Sequence, residues 1–308
     1  MQSIAIKAFI KSILGFPMTK IGLSGGIDAG GTTFKCGVAL ANGEIIAKQR
    51  VDVTTPVETV AQCLTFFRQY DLSSFGIASF GPIDVDRSSP HYGRILKTPK
   101  PNWSHFSLKA AFEAGLNLNV VVDSDVNGAL MAEVTFGAAR GISSAAYITV
   151  GTGIGAGIMS SGEILGRPYH PEFGHIAVKK HDVDRGFPGV CPFHGDCLEG
   201  LTSVRALKKR WGDPIDWDAN HQGWNVAANY LAQACASLVL TLRLERIIIG
   251  GGLMLAKNML PKIQTEFESQ LNGYLGNSIA TADNLICTPF YGDDAGLHGA
   301  IDLGKQAV

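Results

Sequence analysis

The stretch Ile21–Leu40, IGLSGGIDAGGTTFKCGVAL, decides how the rest of the chain is read. An apolar run ends in Asp28, a tight turn Ala29-Gly30-Gly31-Thr32 follows, and a second apolar run leaves at Thr33. The pattern predicts a strand, a glycine turn and a returning strand, with a carboxylate at the mouth. Glycines let backbone N–H groups close on an anion, the Thr32 hydroxyl adds a donor, and Asp28 is placed to hold a hydrated Mg²⁺. Phosphate is the expected guest; a plain hairpin with a solvated Asp fits these residues alone equally well.

A second stretch of the same design begins about 120 residues later. Ser144–Ile158, SAAYITVGTGIGAGI, is an apolar run, a turn at Gly151-Thr152-Gly153 and another apolar run. Two such hairpins predict two related lobes facing one another across a nucleotide. Gly151 to Ala156 also satisfies the G-x-G-x-x-A pattern of dinucleotide sites. That pattern needs a helix next, whereas Gly157 to Gly162 reads as strand and turn, so a Rossmann dehydrogenase is set aside. The sequence has no G-x-x-x-x-G-K-[ST] segment, which excludes a P-loop enzyme.

Composition narrows the rest. The chain has 308 residues, 46% hydrophobic and 17% charged, with a net charge of −1. It is globular in composition, and its charge gives no basis for binding nucleic acid or an anionic membrane. No uninterrupted apolar run approaches the ~20 residues that span a bilayer. Of Cys36, Cys63, Cys191, Cys197, Cys235 and Cys287, four lie in apolar surroundings and two form a close pair. This is not a disulfide framework, and a reducing cytoplasm is the expected location.

Residues 1–20 read as an appended segment. Ile6, Phe9, Ile10, Ile13 and Leu14 share one helical face, Lys7 and Lys11 interrupt the apolar run a secretory signal needs, and Gly15 and Pro17 end the pattern. Met18 is an alternative start. Two α/β lobes are expected, 21–140 and 141–308. In the first, Asp123-Ser124-Asp125 stands where an apolar strand gives way to a helix. Asp125 is therefore a candidate helix cap, a candidate general base, or both. Near the end, the apolar segment 224–244 predicts a buried helix, followed by a strand and the turn Gly250-Gly251-Gly252. Three glycines there allow a flat group to approach the backbone, or make a plain turn.

The densest set of potential ligands lies in the loop 170–199. His170, Glu172, His175 and His181 precede Cys191-Pro-Phe-His194-Gly-Asp-Cys197, and Glu199 follows. Cys191, His194 and Cys197 offer three ligands in one loop, and a fourth from His175 would complete the tetrahedral set of a structural Zn²⁺; a polar loop with two free thiols is the alternative. His181 could replace His175 as the fourth ligand.

Taken in order, Asp28-Ala-Gly-Gly-Thr32, Gly81-Pro-Ile-Asp84, Thr98-Pro-Lys-Pro-Asn-Trp103, Asp125-Val-Asn127, Gly151-Thr-Gly153, His170-Pro-Glu-Phe-Gly-His175, the Cys/His loop and Gly250 to Gly252 resemble the ROK sugar kinases. The sequence is most similar to their bacterial fructokinase branch, from about Ile21 to Leu303. The resemblance implies an actin-like, ribonuclease-H-like pair of lobes with ATP and a hexose between them, and a homodimer. It implies that Asp125 takes the proton from the sugar 6-hydroxyl as it attacks the γ-phosphate, most simply of fructose. Asp28, Gly30, Gly31 and Thr32 would then face Mg²⁺ and phosphate with Gly151, Thr152 and Gly153, and Gly250, Gly251 and Gly252 the adenosine. Gly81, Thr98, Ser124, Glu172, His175 and Glu199 match sugar-side positions.

Two departures stand out. The fructokinase branch usually has Glu-Ala-Gly-Gly-Thr-Lys at the first turn, so Asp28 shortens the carboxylate and Thr33 removes a cation. Ser124 stands where many members carry Asn or Thr. Mannose, glucose or an N-acetylhexosamine are alternative substrates, since such enzymes discriminate by a few hydrogen bonds. A non-catalytic sugar-sensing regulator is the alternative of another class. The family's repressors carry a helix-turn-helix domain for which residues 1–20 are too short, so an enzyme is expected.

Overall fold

A computed structural model describes residues 22–98, 100–256 and 258–306; the helix expected in residues 1–17 lies outside them. Alternating apolar runs give the first strands β1 (Leu23–Ala29), β2 (Thr33–Ala39) and β3 (Ile45–Asp52). Helix α1 (Pro56–Phe67) begins where Thr55 accepts from the Glu58 N–H and Pro occupies the first turn. Strand β4 (Leu72–Ser79), helix α2 (Leu108–Leu116), strand β5 (Val120–Ser124) and helix α3 (Asp125–Thr135) follow.

Later elements repeat the plan. Strands β6 (Ala145–Val150), β7 (Ile154–Ser160) and β8 (Glu163–Ile164) precede helices α4 (Leu198–Thr202), α5 (Val204–Trp211) and α6 (Gln222–Leu242). Strand β9 (Arg246–Gly250), helix α7 (Met259–Leu271), helix α8 (Ala282–Leu285), strand β10 (Ile286–Cys287) and helix α9 (Ala295–Lys305) complete the order.

The strands form two five-stranded mixed sheets, ordered β3-β2-β1-β4-β5 and β8-β7-β6-β9-β10. Each has three antiparallel strands joined to two parallel ones, in the same succession. The duplication expected from the two glycine hairpins is therefore a duplication of a whole sheet.

The chain divides into two compact units. One takes the residues up to Asp84, Ser88–Asp125 and the end from Ala300; the other takes Val85–Arg87 and Val126–Gly299. The expected split lies at 140/141; here α3 from Val126 goes with the second unit, where Glu133 accepts from Phe290 and Tyr291, and the end of the last helix goes with the first. Small residues on the first sheet receive the end of that helix: a Cβ on Gly76 would lie 2.1 Å from the Ala300 carbonyl, and one on Gly26 2.6 Å from the Ile301 nitrogen. Backbone meets backbone there, so the strands accept α9 flush.

Aromatic packing fills the first unit, with Phe67 edge-on to Phe75 and Phe75 stacked on Phe112 at 5.5 Å. In the second unit α6 is the core helix. By length and composition it is apolar enough to cross a membrane, and its buried residues, Tyr230, Leu231 and Cys235 among them, pack with β6, β7 and β9.

Candidate active site

The first unit builds its candidate site on one edge of its sheet. Ala29, Ser79 and Ser124 are register partners across the parallel strands β1, β4 and β5. The glycine turn after β1, the Gly81 turn after β4 and Asp125 after β5 therefore leave from one edge. It is the carboxyl edge, where open α/β sheets collect ligands. Asp125 is the first residue of α3 and half-buried, where the helix dipole favours negative charge. Ser124 is buried, and its N–H donates to Asp123 Oδ1 at 2.8 Å.

The first turn is closed by the Gly30 N–H, which donates to the Asp28 and Thr33 carbonyls at 3.1 Å each. Gly31 and Thr32 are exposed at its tip. Asp28 faces Lys35 across the hairpin, Nζ to Oδ2 3.6 Å, with both side chains largely out of water. Thr98 opens a loop anchored by Trp103, which is fully buried against Phe34 and Phe80 and donates from Nε1 to the Thr54 carbonyl at 3.0 Å. The Thr98 hydroxyl accepts from the Lys100 N–H at 3.4 Å, and burial pushes the Lys100 ammonium down. The loop is thus a fixture of the first core and not only a surface connection.

The second unit repeats the arrangement. Thr149 and Gly250 are register partners on β6 and β9, so the turns Gly151–Gly153 and Gly250–Gly252 leave one edge together. Glu199, in the first turn of α4, accepts the Ile154 N–H on Oε2 at 3.0 Å, and its Oε1 lies 3.8 Å from Arg205. The Val204 N–H donates to the Gly151 carbonyl at 2.9 Å. The turn is therefore held from below by the α4–α5 segment, while Thr152 is exposed at its tip.

The glycines sort by what a side chain would meet. A Cβ on Gly30 would stand 2.8 Å from the Thr33 carbonyl, one on Gly153 2.7 Å from Glu199 Oε2, and one on Gly250 2.3 Å from the Tyr147 hydroxyl. Gly251 has φ +92°, a conformation that glycine alone adopts readily. Those glycines are explained by the protein's own packing. Gly31, Gly151 and Gly252 have nothing within 4 Å of the Cβ position, and none lies in the left-handed region. One bare position in each turn leaves the backbone open to a guest.

His175, Cys191, His194 and Cys197 bring their donor atoms within 4.8 Å of one another. Cys191 and Gly195 exchange two backbone hydrogen bonds, a tight knuckle that aims the Cys191 thiol and the His194 ring inward. The Leu198 N–H donates to the Ile176 carbonyl at 3.0 Å, which brings Cys197 to His175. His175 Nδ1 lies 3.5 Å from Cys197 Sγ and 3.7 Å from Cys191 Sγ, and His194 Nδ1 3.7 Å from Cys191 Sγ. Tetrahedral arms of about 2.3 Å to sulfur and 2.0 Å to nitrogen put S and N about 3.5 Å apart, so the donor set fits Zn²⁺. Burial pushes the Cys197 thiol up; a metal would hold it as thiolate. His181 is not the fourth member: its Nδ1 accepts from the Val183 N–H at 3.2 Å.

Glu172 and His175 flank Phe173 and Gly174, whose backbone sits so close that a Cβ on Gly174 would reach 2.1 Å from the Ile154 carbonyl. Glu172 is two-thirds exposed, 3.3 Å from His170 Nε2, and the His170 ring holds its carboxyl below the usual range. Three features escape motif reading. Lys35 is one, although counting residues back from the glycine turn pairs it with Asp28. Glu133 is another: wholly buried, it accepts N–H groups from Ala138, Phe290 and Tyr291 at 2.7, 3.1 and 3.2 Å. The third is a buried set behind the Cys/His loop, in which Arg210 pairs with Asp184 and Tyr230 donates to Asp184 at 2.8 Å.

Two mixed sheets of one strand order, each presenting glycine turns at its edge, define a duplicated α/β protein. The ROK family model matches residues 24–307, and the chain belongs to the ROK family. It is 40% identical over 287 residues to a putative fructokinase of Bacillus subtilis, covering 92% of this chain and 96% of that one. It is 38% identical over 295 residues to a fructokinase of Zymomonas mobilis, with 92% and 96% covered. Among solved structures it resembles a ROK family glucokinase from Streptomyces griseus in complex with glucose and AMPPNP. That match has a TM-score of 0.74 and 27% identity, over 92% of this chain and 100% of the other.

Proposed function

We propose that this chain is an ATP-dependent hexose kinase that phosphorylates fructose at the 6-hydroxyl. The observation that carries the reading is the shared carboxyl edge of β1, β4 and β5, which presents a bare glycine turn and Asp125 together. The fructokinase relatives at 38 to 40% identity favour fructose. The fold that goes with this reading is the ribonuclease-H-like sheet duplicated as in actin-like ATPases.

Asp125 accepts the proton of the attacking hydroxyl. Phosphoryl transfer asks chiefly for positioning and charge stabilisation, so a carboxylate at a helix start suffices as base. The turns at Asp28 to Thr32 and Gly151 to Gly153 offer N–H and hydroxyl groups to the phosphates, and Gly252 gives the adenosine an unobstructed backbone. Asp28 would hold Mg²⁺, which when bound would supply charge neutralisation for the phosphates. Glu172, His175 and Glu199 are the second unit's candidate sugar contacts, and Gly81, Thr98 and Ser124 are those of the first unit. His175, Cys191, His194 and Cys197 would hold a structural Zn²⁺ that would brace the loop 170–199.

The test is ADP release with Mg²⁺-ATP against fructose, mannose, glucose and N-acetylated hexoses. Fructose is expected to turn over best, and Asp125→Asn to lose about 10²–10⁴ in kcat while still binding nucleotide. Preferential turnover of another hexose refutes fructose and keeps the mechanism; near-normal turnover by Asp125→Asn removes the base.

A further inference from the structure

The cation missing at position 33 has a counterpart two residues on. Strand β2 alternates its side chains, so Thr33 and Lys35 point to the same face. In the hairpin register Lys35 stands directly opposite Asp28, and its ammonium lies 3.6 Å from the Asp28 carboxylate, with 17% and 16% of the side chains exposed. The row continues across the sheet. Asp28 is the partner of Ala78, and Ala78 of Asp123, whose side chain is 1% exposed. One row of side chains therefore reads Arg50, Lys35, Asp28, Ala78, Asp123, one residue short of the edge where the glycine turn and Asp125 leave; Arg50 is exposed on β3, and Lys35 is the cation beside Asp28. A polyphosphate arriving beside two carboxylates meets repulsion that the row's cations offset, and of these Lys35 is the one held against Asp28.

We infer that Lys35 is the nucleotide-phosphate cation of the first turn. It holds the Asp28 carboxylate in the free protein and shares its charge with the phosphates of bound ATP. The inference rests on the proposed kinase reading for its ligand, and the row of charges for its place. A lysine suits this position because its four-carbon stem starts on the strand and its ammonium stands beside Asp28, the last carboxylate before the turn, with reach to spare for a ligand there.

The experiment compares wild type with Lys35→Met, Lys35→Arg and the transposed pair Thr33→Lys with Lys35→Met. Nucleotide affinity is read by calorimetric titration of Mg²⁺-ATP, and fold by circular dichroism and melting. Lys35→Met is expected to weaken ATP binding about tenfold or more, the scale of one lost charge-assisted contact, and to leave sugar KM within about twofold. Lys35→Arg keeps most of the affinity, and the transposed pair restores it. A folded Lys35→Met that binds ATP as wild type does overturns the inference, as does an equal loss of ATP and sugar affinity. If wild type binds ATP but phosphorylates no hexose, the kinase reading falls, and the calorimetric comparison still decides Lys35.

Discussion

Replacing Arg210 with Met removes the cation from an ion pair that is almost wholly out of water. The side chains of Arg210 and Asp184 are 6% and 1% exposed, and the same Asp184 oxygen accepts from the Tyr230 hydroxyl. The guanidinium also donates to the Leu201 carbonyl and lies 4.2 Å over Trp211 and 4.7 Å over Phe187. Methionine keeps much of the stem and its contact with the rings, so the loss is chiefly electrostatic: a buried carboxylate without its partner. That change costs about 3–5 kcal/mol. At about 2 °C per kcal/mol for a chain of this length, the melting temperature falls by roughly 6–10 °C, measured by calorimetry. Adding Asp184→Asn removes the stranded charge and should recover part of the loss. Because Asp184 lies within the loop 170–199 while Arg210 and Tyr230 lie on α5 and α6, the variant should also raise sugar KM. An unchanged melting temperature in Arg210→Met would refute the reasoning.

Four other outcomes follow from the geometry. Cys191→Ser with Cys197→Ser should lower zinc from about one per chain to background by mass spectrometry, and unaltered metal content would remove the zinc assignment. Zinc held by this set should be lost on acidification, because protons compete for thiolate and imidazole; dialysis at stepped pH followed by metal analysis checks this. Gly151→Ala, placed in open space, should melt as wild type does and lose ATP affinity, whereas Gly153→Ala should also lose stability because its Cβ meets Glu199. Glu172 should titrate below the ordinary 4.5 because of His170. With the folded value depressed, its contribution is present above the ordinary value and lost as pH falls through the folded one. NMR titration reads the midpoint, and His170→Ala should return it upward.

Local chemistry was legible where one short stretch carries it. Apolar runs broken by Asp28-Ala-Gly-Gly-Thr32 and Gly151-Thr-Gly153 announced strands β1, β2, β6 and β7 and their turns. Cys191, His194 and Cys197 share one loop, so spacing sufficed, and only the choice of His175 over His181 needed coordinates. Contacts distant in sequence were not legible. Asp184, Arg210 and Tyr230 come from a loop and two helices, and Glu133 reaches Phe290 and Tyr291 across most of the second unit. The packing of the end of α9 is of the same kind: nothing local says that Gly26 and Gly76 are small in order to receive it. Sheet register made the edge positions of Asp125 and the first turn a consequence of pairing, which a linear reading of motifs does not contain.

Glu199 grips the first residue of β7 from a helix whose preceding residue, Cys197, belongs to the His/Cys cluster. If the same carboxylate also receives a sugar hydroxyl, the sugar's fit and the phosphate turn's alignment are set by one short segment. A hexose with a misplaced hydroxyl then tilts Glu199 and carries Ile154 with it, so the penalty falls on the geometry of transfer. Selectivity among hexoses would be written in kcat more than in KM, and a wrong sugar would be held but handled slowly.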